Sequence, residues 1–268
     1  MERRRFLRYA GGSLVLGSGV ASVTFAGNDG TSALVAGSLQ RLASNVGSAS
    51  VEAHGSVAAR RLIVSGAREP DAVALADPTL LSGLSARASL FATNALVIAY
   101  DPESPFAEEV ERKWRSAMRR EQIVVGRTDP DRDPLGYRTV MALELAGERD
   151  LLGKIRVVPE TGLLRSLEGG AFDAVFAYRN MAVEHGLPFV TLPDELDFSN
   201  PEFGDHYATA SVELPKRTVR GAPIRYAATA LTEAGKPWVE QLVSGRRRLR
   251  SAGFSVPASY PTRTRVRD

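Results

Sequence analysis

Three aspartates, Asp129, Asp131 and Asp133, fall within the stretch GRTDPDRDPLGYRT (126–139), two of them followed by proline. Carboxylates this close together can trade protons, hold a metal or cap a helix. The β-branched run Ile123-Val124-Val125 ahead of them predicts a strand, and apolar spacing from Tyr137 to Leu145 predicts a helix behind them. Proline disfavours helix in the residue before it and is tolerated in a first helical turn, which places Asp133 at the helix N-terminus. A strand that turns into a helix in this way aims free backbone N–H groups past the strand's C-terminal end. That is an anion site.

Two earlier stretches repeat the geometry. ALVAGSL (33–39) is an apolar strand ending in Gly37-Ser38, with a short helical segment from Leu39 to Asn45, and VEAHGSVAARRLIVSG (51–66) places Gly55-Ser56 between a strand and a helix. Taken singly, each serine also reads as an ordinary helix cap. Together they aim two helix N-termini and two hydroxyls at one point, which suits a tetrahedral dianion. Further on, Ile155 to Val158 reads as a strand and Pro159-Glu160-Thr161 starts a helix through Leu167; by itself Glu160 is an acid favoured by the helix dipole. Tyr178 falls on a strand-to-helix turn in AFDAVFAYRNMAVEHGL (171–187). The three histidines, His54, His185 and His206, show no helical pairing, so no zinc site is legible.

These stretches together resemble the archaeal-type molybdate/tungstate-binding proteins, the solute receptors of oxyanion ABC importers. GRTDPDRDPLGYRT is similar to the family's GRSDPNxDPCGYRT, and the AGSL at 36–39 to its cleft-opening loop. DAVALAD (71–77) resembles ADVVAVAD, NALVIAY (94–100) resembles TNxLVIAY, and 171–187 resembles LDYxFxYxSVAxQHxL. LPDEL (192–196) resembles LPDEINL, and PIRYAATAL (223–231) resembles PIxYGVTI. The likeness covers most of the chain after residue 31. It departs at Leu135, where the family has cysteine, and at Asn180, where it has serine. Between the two serines the chain is about ten residues shorter than the family pattern, and only a dozen residues (147–159) replace a long excursion. The resemblance implies a ligand-binding set of Gly37, Ser38, Ser56, Asp133, Pro134, Leu135, Glu160 and Tyr178, with Asp133 and Glu160 bonded to the metal of the oxyanion. It implies no cofactor: the anion is the ligand.

Two carboxylates do not suit an ordinary anion site, because like charges close together and away from water repel strongly. A Mo(VI) or W(VI) centre resolves this. It is a hard Lewis acid that can add two oxygen ligands and pass from tetrahedral to octahedral, which sulfur and phosphorus in their oxyanions cannot do. Asp129 and Asp131 compete with Asp133 for the acid's role; the DPxGYR match and Pro134 favour Asp133. A receptor for phosphate, sulfate or a small organic anion is the alternative. An enzyme would need a nucleophile and a base together, and no G-x-S-x-G or metal motif occurs.

The elements that carry these residues alternate short strands and helices, an α/β pattern from which mostly parallel sheets are expected. The resemblance implies a two-lobed periplasmic-binding-protein-like fold of type II with a hinge between the lobes. Residues 31–100 and 221–268 would form lobe one, and residues 101–220 lobe two, with Asp101 to Pro105 as linker. A helix is expected over Phe106 to Arg120, a strand over Tyr207 to Leu214, and a helix over Trp238 to Leu249. That last helix ends in Arg246, Arg247, Arg248 and Arg250, a basic last turn that suits the dipole. The tail beyond Pro257 reads as irregular. The 268 residues carry 34 bases and 31 acids. Residues 1–26 hold four of the bases and one of the acids, and without them the two numbers are equal, so the charge gives no argument for nucleic acid. That segment, RRRFLR followed by a Gly/Ser/Ala/Val run to Ala26, reads as a twin-arginine-type signal for export, cleaved or kept as an anchor. The chain has no cysteine, which excludes disulfides and a lipidated cysteine. An extracytoplasmic monomer that serves an ABC permease is expected.

Overall fold

The computed structural model describes residues 30–215 and 217–266, so the signal expected over residues 1–26 lies outside the described residues. Lobe one opens with β1 (Ser32–Ala36), which is buried from Ala33 onward, as suits a strand covered on both faces. After α1 (Gln40–Ala43), only four residues long, come β2 (Ser50–His54), α2 (Ser56–Val64), β3 (Ala72–Leu75) and β4 (Arg87–Thr93). The chain then crosses into lobe two through β5 (Leu96–Tyr100), α3 (Ala107–Ala117), β6 (Val125–Arg127), α4 (Pro134–Leu145) and β7 (Arg156–Val157). Lobe two continues with α5 (Glu160–Glu168), β8 (Ala174–Tyr178), α6 (Arg179–His185), β9 (Phe189–Thr191), α7 (Asp194–Asp197) and α8 (Gly204–Tyr207). It closes with a hairpin, β10 (Ser211–Leu214) and β11 (Arg217–Arg220). The return adds β12 (Arg225–Ala230), α9 (Lys236–Ser244), α10 (Arg246–Ser251) and β13 (Thr262–Arg265).

Lobe one is built on a six-stranded sheet of order β13-β4-β12-β3-β1-β2 and lobe two on a five-stranded sheet of order β7-β6-β8-β5-β9. Neither sheet is mostly parallel, contrary to expectation. β1 runs parallel to β2 and β3, and β6 to β7 and β8, but β12 is antiparallel to β3 and β4, and β5 to β8 and β9. The cause is the double crossing: a strand arriving from the other lobe enters its sheet against the local direction.

Other expectations are corrected as well. β5 pairs with β8 and β9, so Leu96–Tyr100 belongs to lobe two and the crossing lies at Asn94-Ala95 rather than after residue 100. In place of one strand over 207–214, α8 ends at Tyr207 and β10 starts at Ser211. Tyr207 stacks on Phe198 with ring centroids 4.6 Å apart, which turns it into the core. The C-terminal helix breaks at Gly245 into α9 and α10. Arg246 and Arg247 therefore open a second short helix, whereas Arg248 and Arg250 do lie in its last turn, and Arg246 donates to the carbonyls of Val256, Pro257 and Tyr260. The tail is ordered as β13, an edge strand on β4; its Thr-Arg alternation has no apolar residue to betray it. Among the described residues no helix is long and apolar enough to cross a membrane.

α4 is the spine of lobe two. Its residues from Pro134 to Leu143 are all buried, as in a helix covered on every side. It starts where the aspartate-proline pair predicts: Asp133 is the N-cap, accepting from the Gly136 N–H at 2.9 Å, with Pro134 in the first turn. Gly136 has a packing reason, since a Cβ there would lie 2.5 Å from the Asp129 carbonyl carbon.

Candidate functional site

Each half of the site is a strand that ends, turns and starts a helix. In lobe one, β1 gives way to a single 3-10 turn, Gly37–Leu39, whose first N–H groups have no partner within the turn. They point across to lobe two, where Glu160 opens α5. The Gly37 N–H donates to Oε2 of Glu160 at 3.2 Å and the Ser38 N–H to Oε1 at 3.1 Å. The second unit meets the other carboxylate. Gly55 and Ser56 open α2, and the Ala58 N–H donates to the Arg132 carbonyl at 3.0 Å, beside Asp133.

Both glycines are required by this approach. A Cβ on Gly37 would lie 2.8 Å from Oε2 of Glu160, and one on Gly55 would lie 2.6 Å from the Arg132 oxygen and 2.7 Å from the Asp133 Cβ. The lobes therefore meet glycine to carboxylate at two points, with Asp133 and Glu160 both buried. A cavity of about 250 Å³ touches both carboxylates between His54, Gly55 and Arg132. A second cavity, of about 420 Å³, reaches Glu160, Gly37 and Ser38 from the side of Arg41 and Glu184. Glu160 thus stands between two mouths. A larger groove of about 650 Å³ lies between α9 and the outer strands of lobe one, but its charged lining is surface side chains.

The carboxylates are held as acceptors and are hard to keep charged. Oδ1 of Asp133 accepts from the Thr128 hydroxyl at 2.8 Å and from the Gly136 N–H. Burial nevertheless pushes Asp133 up to about 7, with the Asp129 charge adding to the rise and the Gly136, Thr128 and Leu135 bonds opposing it. Glu160 is raised well above the ordinary carboxylate range, first by burial and then by the charge of Asp133; the Ser38 N–H and hydroxyl and the Gly37 N–H oppose this. Two such groups resist carrying both charges at once unless something else takes their lone pairs.

Three hydroxyls complete the set. Ser56 Oγ accepts from the Ala76 N–H at 3.1 Å, Ser38 Oγ lies 3.0 Å from the Tyr226 hydroxyl, and the Tyr178 hydroxyl accepts from Arg138 Nη1 at 2.8 Å. Of the sequence-derived residues, Gly37, Ser38, Asp133, Glu160 and Tyr178 are brought together, with Ser56 behind Gly55. Pro134 and Leu135 sit in the first turn of α4. The Leu135 side chain is buried in the core, so it reaches the site only through its N–H toward Asp133. Asn180 spends its amide on the Ser38 carbonyl at 2.7 Å, clasping the lobes.

Sequence reasoning did not assign roles to Asn94, Tyr137, Arg138 and Tyr226. Arg138 is the one buried basic side chain among the described residues. It donates to the Ala76 carbonyl at 3.1 Å and to Tyr178. Burial opposes its charge, but Tyr178, Tyr137 and Asp77 more than offset that and hold its pKa above the usual arginine value. Tyr137 donates to Asp77 across the lobes at 2.5 Å. A signal was available: all four lie within the quoted motifs, as polar or aromatic residues that an apolar strand or helix does not need. The described residues contain no group of three or more His, Cys, Asp or Glu side chains placed to hold a metal ion. A metal at Asp133 and Glu160 would have to arrive with oxygens of its own.

Residues 44–255 match the family model described as bacterial extracellular solute-binding protein. The chain is 42% identical over 285 residues to a protein of Haloferax volcanii provisionally named an ABC transporter molybdenum-binding protein, an alignment covering 97% of this chain and 93% of that one. It is 32% identical over 224 residues to the molybdate/tungstate-binding protein of Thermococcus kodakarensis, covering 68% of this chain and 63% of that one. In structure it is similar to the periplasmic molybdate-binding protein of Azotobacter vinelandii, with a TM-score of 0.61 at 16% identity, over 85% of this chain and 99% of that one. A phosphate-bound substrate-binding protein of Clostridium perfringens gives 0.54 at 11% identity, over 85% and 100%. These structural likenesses show the fold, a two-lobed α/β periplasmic-binding-protein architecture. The chain belongs to the bacterial extracellular solute-binding protein family, a family of binding proteins and not of enzymes.

Proposed function

We propose that this solute-binding protein is the receptor of an oxyanion ABC importer and captures molybdate or tungstate between its lobes. The observation that carries the reading is the pairing of two buried carboxylates from lobe two with two glycine-serine helix starts from lobe one. Amides and hydroxyls would hold the oxygens of any dianion. The carboxylates add what a metal centre needs: the two Glu160 oxygens take one amide each and the Ser38 hydroxyl besides, which leaves a lone pair over, and Oδ2 of Asp133 stays free of the bonds that hold Oδ1. Two carboxylate oxygens then expand the centre from four to six ligands, and the protons that burial would otherwise leave on the pair are released. The names of the Haloferax and Thermococcus relatives support the same ligands. The anion is cargo, passed to a permease outside the cytoplasm by a monomeric chain exported by its arginine-rich leader.

A thermal-shift series with molybdate, tungstate, sulfate, phosphate and chromate tests the reading. A ligand at about a thousand times its dissociation constant adds roughly 4 kcal/mol of stability. Molybdate and tungstate should raise the melting temperature strongly, and Glu160→Gln should abolish their effect. A response to sulfate or phosphate in place of molybdate, or molybdate binding indifferent to Glu160→Gln, refutes the metal-centre role.

A further inference from the structure

We propose that Tyr226, oriented by Asn94, is a positioning residue that fixes the Ser38 hydroxyl as a donor toward the ligand. The inference rests on the oxyanion reading of the cleft and adds how its donors are set. A hydroxyl has one proton, so a hydroxyl that must donate in one direction can only accept in the other.

Distance alone leaves the direction of the 3.0 Å contact between Ser38 Oγ and the Tyr226 hydroxyl open. The groups behind it decide. Oδ1 of Asn94 accepts from the N–H of Ala95 at 3.0 Å and of Asn180 at 3.4 Å, so its Nδ2 faces the other way. That Nδ2 donates to Oδ1 of Asn180 at 2.8 Å and to the Tyr226 oxygen at 3.3 Å. Asn180 is fixed in turn, because its own Nδ2 donates to the Ser38 carbonyl. Tyr226 accepts from an amide that can only donate, and of its two hydrogen-bonding neighbours among the described residues Ser38 Oγ is the one able to accept, so its proton goes there. The Ser38 proton is then left for the side of Glu160, whose charge that hydroxyl favours.

The other two hydroxyls are set by the same rule. Tyr178 accepts from Arg138, a guanidinium with no acceptor of its own, and Ser56 accepts from the Ala76 N–H. The bonds shown to the Tyr178 and Ser56 oxygens are accepting ones and leave their protons for other acceptors, while the Ser38 proton turns to Glu160 until a ligand takes it; the acceptors facing the ligand are the carboxylates of Asp133 and Glu160. An oxyanion whose oxygens are all unprotonated meets these donors without conflict. Hydrogen phosphate must place its proton on a carboxylate, which is then lost to a metal.

Calorimetric titration of molybdate into the wild-type chain, Tyr226→Phe, Ser38→Ala and the double variant tests the role, with the melting temperature of each variant measured alongside. Tyr226→Phe and Ser38→Ala should each weaken binding about tenfold, a typical loss for one hydrogen bond to a charged group. The double variant should bind like Ser38→Ala alone, since Tyr226 acts through that hydroxyl. Losses that multiply in the double variant, or wild-type affinity in Tyr226→Phe, overturn the proposal. The same titrations with sulfate and with phosphate at neutral pH separate it from the metal-centre reading. A wild-type chain that takes sulfate but not molybdate refutes that reading while supporting the fixed donors; one that prefers phosphate refutes the fixed donors.

Discussion

Asp133→Asn should stabilise the folded chain while destroying its capacity for molybdate. The aspartate is buried and pushed up to about 7 by burial. Asparagine keeps Oδ1 for the Gly136 N–H and the Thr128 hydroxyl, so the cap survives and only the charge is lost. Each tenfold change in proton affinity corresponds to about 1.4 kcal/mol, and a rise from the ordinary carboxylate range to about 7 amounts to roughly 4 kcal/mol at most. For a chain of this length that is on the order of 10 °C in melting temperature. The sign follows from proton binding. Between the ordinary carboxylate range and pH 7 the folded chain binds more protons than the unfolded one, so wild-type stability falls as pH rises through that window. The variant loses that part of the fall and keeps what the other raised carboxylates, Glu160, Glu184 and Asp197, contribute. Melting curves without added anion, taken from pH 5 to pH 8, should converge at the acid end and separate in favour of Asp133→Asn at the alkaline end. A variant less stable than wild type at pH 8, or two parallel pH profiles, would show that Asp133 is not held at a cost by burial.

Two further outcomes bear on how the lobes meet and what supports them. Gly55→Ala places a Cβ 2.6 Å from the Arg132 oxygen; the lobes should fail to close, and molybdate affinity should fall at least tenfold in titration. Its ligand-free unfolding should stay within about 1 kcal/mol of wild type, and unchanged affinity would mean that the lobes tolerate a wider gap. Arg246→Ala removes a side chain that donates to the carbonyls of Val256, Pro257 and Tyr260 and so holds the tail before β13. Urea unfolding should show a loss of about 1–2 kcal/mol with molybdate affinity unaltered, whereas a loss of affinity would tie this end of lobe one to the site.

Much of the site was legible in the sequence because strand-turn-helix junctions have local signatures. Proline after Asp133 and glycine before Ser38 and Ser56 mark backbone that must turn, and the helix starts stand where those residues put them. What the sequence hid was direction and pairing. Leu96–Tyr100 is apolar throughout and would suit either sheet; only its ladder with β8 and β9 assigns it to lobe two. β13 was invisible because an exposed edge strand needs no apolar face. Arg138 and Tyr226 looked like ordinary members of a helix and a strand, since what gives them a role is a partner distant in sequence: Tyr178, and Asn94 with Ser38.

On the proposed function, the division of donors and acceptors between the lobes places selectivity at closure. Lobe one brings the amides of Gly37 and Ser38 and the hydroxyls of Ser38 and Ser56; lobe two brings Asp133, Glu160 and the Tyr178 hydroxyl. In this arrangement they are buried and raised, each by burial and by a neighbouring negative charge, so without a ligand the folded chain holds their charged forms at a cost. A sulfate ion takes the donors but offers the carboxylates no bond, and that penalty remains. A metal centre that accepts two more oxygens removes it. Every dianion can then enter the open cleft and meet lobe one on similar terms, but only one that bonds Asp133 and Glu160 holds the lobes shut, and the closed form is the one with a differential affinity to shift the equilibrium.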